Sequence, residues 1–465
     1  MPGATGSPAR GDGSPRRSAL NASVATSTTA AGGPSASLNV RQAAFIGVGA
    51  MVGAGIFSLL GAAGEVAGAA VWVSFLIAGA VAGLQGYSFA KFGARFPSAG
   101  GLLEYVVRGY GDGRVTGVVA WLLLGVNAII TGMVAVSFGS YASGAVADGS
   151  SAWVKTFAVL VVLVMSALNV LGSRAVARAQ TVVVVVVVGI LSVFAVTTLA
   201  NLDMDLLAFS GYPPLTDVLS SVALTFFAFL GFGIITFTAK DLADPARQLP
   251  PAVYLALGIA TVIYVAVALG VFGTLTVDEV IESGGTALAV AAEPVLGRAG
   301  YWLMTVTALF ATAGATNSGL YPAAGLCEEM AATGQFPPAL GRRLGGRAPA
   351  GILVTAGAAG ILAVGFDLTA IASIGSAVAL VVFTLVTAGH LRVRGETGAS
   401  TALLVVAVAT TVVVLISFAL TTLVDEPGTA VALVVILLLS IVLDAMWKRS
   451  RTTAGPTDVE PGRAA

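Results

Sequence analysis

Long runs of apolar residues, uninterrupted by charge, constrain this chain more than any other feature. A run of about 20 apolar residues is long enough to cross a lipid bilayer as a helix, and the 465-residue chain contains many such runs. Hydrophobic residues make up 57% of the chain and charged residues 10%, whereas a soluble protein carries roughly 25% charged residues. We therefore expect a polytopic membrane protein.

The apolar runs are predicted to be helices. Inside a bilayer only a helix or a closed barrel satisfies every backbone polar group, and a solid run such as Val182–Val188 lacks the alternation of barrel strands. The pattern predicts an all-α fold with about twelve transmembrane helices. They fall near residues 42–62, 67–91, 115–146, 153–173, 179–200, 217–239, 251–274, 299–330, 350–366, 369–391, 400–424 and 429–447.

The distribution of Lys and Arg predicts the orientation. One set of loops and both chain ends hold nearly all of these residues, whereas the opposite loops hold only Lys155 and Arg298 beside many acids. Positively charged loops remain in the cytoplasm. We expect a multi-pass protein of the cytoplasmic membrane with both termini cytoplasmic.

The two ends of the chain differ in composition from the rest. Residues 1–38 are rich in Ser, Thr, Ala, Gly and Pro and lack the apolar segment of a signal peptide. We predict a disordered cytoplasmic tail there, a single transmembrane domain over residues 39–449, and a second cytoplasmic tail over residues 450–465.

Several functional classes are disfavoured by composition. Cys327 is the only cysteine and His390 the only histidine, so neither an internal disulfide nor a protein zinc site is expected. The formal net charge is zero, which gives no sign of a nucleic-acid partner. No nucleophile–base pair is found at depth in the predicted spans, so we expect no enzyme, cofactor or metal.

The first predicted span is dense in glycine, a poor helix former. It contains "GAMVGAGIFSLLG" from Gly49 to Gly61, and the sixth span has its own pair, Gly231 and Gly233. Such glycines serve close helix packing or mark interrupted helices, and paired interruptions in matching helices point to a transporter binding site. An interrupted helix exposes N–H groups that suit a carboxylate and carbonyls that suit an ammonium.

Four motifs resemble signatures of the amino acid–polyamine–organocation (APC) superfamily. They are "GAMVGAGIF" in the first span, "FFAFLGF" followed by "DPARQLP" in the sixth, "FPSAGGLLEYVVRGYG" at residues 96–111, and residues 315–340. The resemblance covers roughly residues 40–447. It implies a LeuT-like 5+5 inverted repeat, residues 39–200 and 215–395, with discontinuous helices 1 and 6. Helices 11 and 12 would occupy residues 400–449.

The resemblance also implies a substrate site at the two interruptions. The substrate carboxylate would be held by the N–H groups of Gly53, Ala54 and Gly55. Its ammonium would be held by the carbonyls of Met51, Val52, Phe227 and Leu230. Phe227 would also cover the substrate as an aromatic lid, and Ala228 and Gly231 complete this part of the predicted site.

Two further polar residues lie at depth, Asn127 in the third span and Asn317 in the eighth. Each either forms a hydrogen bond between helices or lines the pocket. We include both in the predicted site.

The predicted spans carry almost no ionisable side chain at mid-depth, where such residues normally mark charged ligands and ion pathways. This favours a ligand whose charges cancel, a neutral zwitterionic amino acid, moved by alternating access. Protons are a candidate coupling ion and exchange an alternative, because the lysine that some proton-coupled relatives carry in helix five is replaced here by valines. The predicted partners are the amino acid and membrane lipids, with the protein a monomer or a weak homodimer.

Two other functions stay open at this point. The same fold can carry an inorganic cation such as potassium, coordinated by unwound carbonyls. A membrane sensor or scaffold with a vestigial site is the other alternative.

Overall fold

The computed structural model describes residues 38–53, 55–98, 101–147, 149–171, 174–345, 348–421, 424 and 427–453, with the backbone alone for 174–179 and 451–453. The described part of the chain is almost entirely helical. The first half contains α1 (Val40–Val52), α2 (Leu60–Ala67), α3 (Val71–Arg95), α4 (Leu102–Tyr110), α5 (Arg114–Val146), α6 (Ser151–Leu171) and α7 (Arg174–Ala200).

The second half begins with α8 (Leu215–Phe226), which continues directly into a 3₁₀ segment, Phe227–Asp241. The remaining helices are α9 (Pro245–Phe272), α10 (Val277–Ser283), α11 (Ala287–Ala332), α12 (Ala350–Gly365), α13 (Leu368–Thr397), α14 (Thr401–Leu420) and α15 (Pro427–Thr453). Strands β1 (Arg343–Leu344) and β2 (Ala348–Pro349) form a small antiparallel pair. Short 3₁₀ turns lie at Gly68–Ala70, Phe209–Gly211 and Gly284–Thr286.

Nine helical stretches of the described residues are long and apolar enough to cross a membrane, and Val40–Val52 and Ala350–Gly365 are shorter apolar helices. The protein is therefore an all-α polytopic membrane protein, apart from the two short strands. The count of twelve spans remains a prediction, as do the domain division and the inverted repeat. The predicted N-terminal tail lies outside the described residues except for Leu38, and α15 continues to Thr453, past the predicted end of the domain at residue 449.

Local sequence explains several helix ends. Asn39 and Gln42 form a capping box at the start of α1, in which the Asn39 side chain accepts a hydrogen bond from the Gln42 N–H at 2.9 Å. Asp367 caps α13 by accepting from the Ala370 N–H at 2.8 Å. Within α11, Gly297 has φ of 68°, which a glycine adopts without strain, so this long element is two helices joined at a kink.

The packing places α1 inside the helix bundle. It contacts α7, α9, α11 and the 3₁₀ segment, while α5 packs against α11 and α13. By contrast, most of α14 and α15 present exposed apolar side chains, as helices facing lipid do. The centre of the molecule is therefore formed by α1, α5, α11, α13 and the 3₁₀ segment.

Candidate substrate site

The first predicted span is interrupted. Helix α1 ends at Val52, a series of turns follows, and α2 begins at Leu60. Within the turns the N–H of Leu59 donates to the carbonyl of Gly55 at 3.0 Å. The hydroxyl of Tyr141, from α5, donates to the carbonyl of Phe57 at 3.1 Å and so satisfies one backbone group freed by the interruption.

The sixth predicted span is not interrupted by a gap. It changes from α-helix to 3₁₀-helix at Phe227 and stays in that form to Asp241. The expected discontinuity of helix 6 is therefore corrected to a change of helix type, which often marks strain or a hinge. Carbonyls in this segment find side-chain donors: the Tyr264 hydroxyl donates to Ala228 at 3.1 Å and the Thr236 hydroxyl to Gly233 at 2.6 Å.

Glycines bring these two segments into direct backbone contact. A Cβ on Gly231 would lie 2.5 Å from the carbonyl carbon of Ala50, and one on Gly55 would overlap Ala228. Gly53, just after α1, is packed as closely against α11, because a Cβ on Gly53 would overlap the Ala311 carbonyl oxygen. The glycines of the predicted site thus serve close packing at the interruption, and both readings of the glycine pattern apply.

A cavity of about 720 Å³, a volume that includes open solvent, lies beside the last turn of α1 before the interruption. It is lined by side chains and backbone of α1, α4, α5, α11, α13 and the 3₁₀ segment. Of the predicted site residues, it brings together Asn127, Phe227, Leu230 and Gly231. The Asn127 amide nitrogen donates to the Leu123 carbonyl at 3.0 Å within its own helix.

The cavity lies on the side of the interruption where α1 begins. Ala50, which precedes the interruption, lines the cavity. The N–H of Leu38, two residues before α1, donates to the carbonyl of Asp241 at the end of the 3₁₀ segment. On the opposite side α2 packs on the turn Gly284–Thr286, where a Cβ on Gly61 would lie 2.8 Å from the Gly284 Cα. The cavity therefore lies between the interruption and the end of the bundle where α1 begins.

The remaining predicted residues lie elsewhere. Met51 and Gly55 are buried without lining this cavity, and Val52 and Gly53 line a second, smaller cavity of about 240 Å³ between α1, α7 and α11. Ala228 packs under Gly55, as described above. Ala54 lies outside the described residues.

Asn317 does not line either cavity. Its amide oxygen accepts a hydrogen bond from the Asn169 amide of α6 at 2.6 Å. Of the two roles considered for Asn317, the structure shows the hydrogen bond between helices and not a position in the lining of a cavity.

Gln180 is a residue that sequence reasoning missed. It lines the second cavity, and its amide nitrogen donates to the Gly314 carbonyl at 2.9 Å and to the Ser318 hydroxyl at 3.2 Å. Ser318 in turn lines the main cavity. The sequence did contain a sign of this role. Gln180 is a single amide side chain just before the valine run Val182–Val188, where lipid offers no hydrogen-bond partner, so a partner within the protein is expected.

No charged side chain lines either cavity among the residues that the structure describes, and those residues contain no cluster of metal-ligating side chains. Charge is found instead at the end of the bundle, where Glu328 forms an ion pair with Arg343 at 3.0 Å. In the main cavity the polar side chains are those of Asn127 and Ser318. The arrangement can hold a neutral molecule with an apolar part.

A family model described as "Amino acid permease" matches residues 38–447. The chain is 30% identical over 409 residues to the inner membrane transport protein YbaT of Escherichia coli, covering 88% of this chain and 95% of that protein. It is 30% identical over 367 residues to an uncharacterized protein of Methanocaldococcus jannaschii, covering 78% and 83%. It is also 25% identical over 256 residues to the methylthioribose transporter of Bacillus subtilis, covering 51% and 55%.

Proposed function

Since this chain belongs to the amino acid permease family, within the APC superfamily, we propose that it is a secondary transporter that moves neutral, zwitterionic amino acids by alternating access. The family is an amino acid permease family and several relatives are named as transporters, so the protein is a membrane transporter and not an enzyme. The observation that carries the proposal is the interrupted first span beside a cavity whose described lining has no charged side chain.

The interruption is the proposed site for the charged end of the substrate. The N–H groups of Gly53, Ala54 and Gly55 would bind the carboxylate, because backbone groups beyond a helix end lack regular helical partners. The Gly55 N–H, which donates to the Met51 carbonyl at 3.3 Å, would exchange that bond for one to the carboxylate. The carbonyls at the end of α1, those of Met51 and Val52, would bind the ammonium together with carbonyls of Phe227 and Leu230. Backbone dipoles would thus balance both charges where lipid cannot.

The molecular architecture is part of the proposal. We propose twelve spans arranged as a LeuT-like inverted repeat with two additional helices, and both termini in the cytoplasm. The cavity would then lie on the cytoplasmic side of the interruption, and we propose that it opens to the cytoplasm in the inward-facing half of the transport cycle. Transport would be coupled to protons or proceed by exchange.

Uptake by purified protein in liposomes tests the proposal. Labelled L-leucine would be offered with and without a pH gradient, and with and without unlabelled leucine inside. We expect saturable leucine uptake that other neutral amino acids inhibit and that lysine and glutamate do not inhibit. The response of this uptake to the pH gradient or to internal leucine identifies the coupling. Potassium flux without any amino acid uptake would contradict the proposal, as would a protein that moves neither solute.

A further inference from the structure

The ring of Phe227 packs directly against a glycine outside the predicted site. Gly375 lies in α13, and a Cβ built on it would stand 2.5 Å from the Phe227 Cε2 atom and 2.7 Å from a methyl carbon of Ile129. Real Cβ atoms essentially never approach that closely, so the ring and the methyl group occupy the space that any other residue at position 375 would fill. The absence of a side chain therefore fixes where the ring lies.

The position of that ring bounds the main cavity. Phe227 is fully buried and lines the cavity at the point where α8 becomes the 3₁₀ segment. Ile129 is packed just as closely on Gly375, so a Cβ there has no room on the Ile129 side either. A side chain at position 375 would therefore push the ring toward the cavity, the direction in which there is empty volume.

The walls around this volume are apolar. The side chains that face it from α5, the 3₁₀ segment, α11 and α13 include Val126, Ile130, Leu230, Ile234, Pro322 and Phe383. An apolar substrate group would gain roughly 25 cal/mol per Å² of surface that it removes from water. A polar or charged substrate group would lose its hydrogen bonds to water and find few hydrogen-bond partners in the cavity, which is unfavourable.

We infer that Gly375 sets the upper size limit of the substrate by fixing the Phe227 ring, and that the substrates are neutral amino acids with large apolar side chains, such as leucine, isoleucine and methionine. This inference rests on the proposed function. Gly375 acts through Phe227 and does not touch the substrate, so it is a positioning residue for specificity. Differences of one or two methylene groups in an apolar pocket change specificity by about 10–200-fold.

The test compares transport efficiency for labelled L-leucine and L-alanine in liposomes. For the wild-type protein we expect leucine to be preferred. In Gly375→Ala the displaced ring should lower the leucine-to-alanine efficiency ratio by about tenfold. In the double variant Gly375→Ala/Phe227→Leu, which lacks the ring atom that meets the new methyl group, the ratio should return toward the wild-type value.

Gly389→Ala is the matched control. It lies in the same helix and places a Cβ 2.7 Å from the ring of Tyr110, away from both cavities. Its leucine-to-alanine ratio should equal that of the wild type. The inference would be overturned if the leucine-to-alanine ratio stayed unchanged in Gly375→Ala or changed equally in Gly389→Ala. It would also be overturned if adding Phe227→Leu did not restore the ratio.

If Gly375→Ala does not fold, Phe227→Leu alone decides the question. The smaller side chain should raise uptake of phenylalanine relative to leucine, and an unchanged ratio would overturn the inference. These outcomes differ from failure of the proposed function, in which the wild-type protein transports neither leucine nor alanine.

Discussion

At Gly231 and Gly55 a neighbouring backbone or side chain occupies the place where a methyl group would be. The sequence shows that these spans are rich in glycine, and the structure shows which neighbour each glycine admits: Ala50 for Gly231 and Ala228 for Gly55. The partner could not be predicted, because it depends on the distance between two helices that are about 180 residues apart in the chain. One consequence is that a large side chain at position 55 would separate the two segments rather than only fill a carboxylate site.

Gly231→Ala should destabilise the protein by about 1–3 kcal/mol, because the new methyl group would overlap the Ala50 carbonyl carbon. The measurement is thermal unfolding of the purified protein in detergent. Gly233→Ala is the comparison within the same segment, since its Cβ would meet Leu102 at an ordinary 3.4 Å. Equal unfolding temperatures for the two variants would show that the close approach of α1 and the 3₁₀ segment is not as described.

Tyr264→Phe should destabilise the protein by about 1–3 kcal/mol, because it leaves the buried Ala228 carbonyl without its hydroxyl donor. Thermal unfolding again provides the measurement. Tyr254→Phe, in the same helix but with 45% of the residue exposed, is the control and should have no comparable effect. A Tyr264 variant as stable as this control would mean that another group satisfies the carbonyl.

Among the elements, helix starts depend more on local sequence than helix types do. Caps such as Asn39 with Gln42 and Asp367 are local, so the sequence near them contains the signal. The glycines of the sixth span indicate a weakened helix, but they do not say whether the chain opens or tightens. It tightens to 3₁₀ here, where Gly231 lies against α1 and the Tyr264 hydroxyl supports the Ala228 carbonyl.

Gln180 links two elements beside the interruption, α7 and α11, and Gln180→Leu should weaken that link. The loss of both donated hydrogen bonds is expected to lower stability by about 1–3 kcal/mol and to reduce leucine transport. Thermal unfolding and liposome uptake would be measured together. Ser192→Ala, at an exposed position of the same helix, should change neither. If Gln180→Leu had the stability and the leucine transport of the wild type, the hydrogen bonds of Gln180 would not be important for either property.

At the scale of the whole molecule, composition alone predicted an all-α membrane protein, because apolar length and backbone satisfaction leave few other solutions. Nine helical stretches in the described part satisfy a simple length and hydropathy test, against about twelve predicted spans. Three predicted spans account for the difference: the first is interrupted at Val52, the ninth is the short helix Ala350–Gly365, and the eighth, within α11, does not meet the same test. The cavity could not be predicted, since its walls come from six separate elements.

The proposed opening of the cavity to the cytoplasm predicts chemical access from that side alone. Replacing the single cysteine, Cys327→Ala, and introducing Ile234→Cys in the cavity should give a protein that a membrane-impermeant maleimide labels in inside-out vesicles and not in right-side-out vesicles. Leucine should slow the labelling. Ala63→Cys, fully buried in α2 on the other side of the interruption, is the control and should remain unlabelled in inside-out vesicles. Labelling of Ile234→Cys from the outside alone would reverse the proposed orientation.

The central claim is that a neutral amino acid binds with its charged end at the interruption of the first span and its side chain in the adjoining cavity. A cryo-EM structure of the protein in lipid nanodiscs with saturating leucine tests this directly. We predict density for leucine with its carboxylate beside the backbone of residues 53–55 and its side chain between Ile130 and Phe383. A first span that continues as an unbroken helix, or leucine density at another place in the protein, would contradict the account.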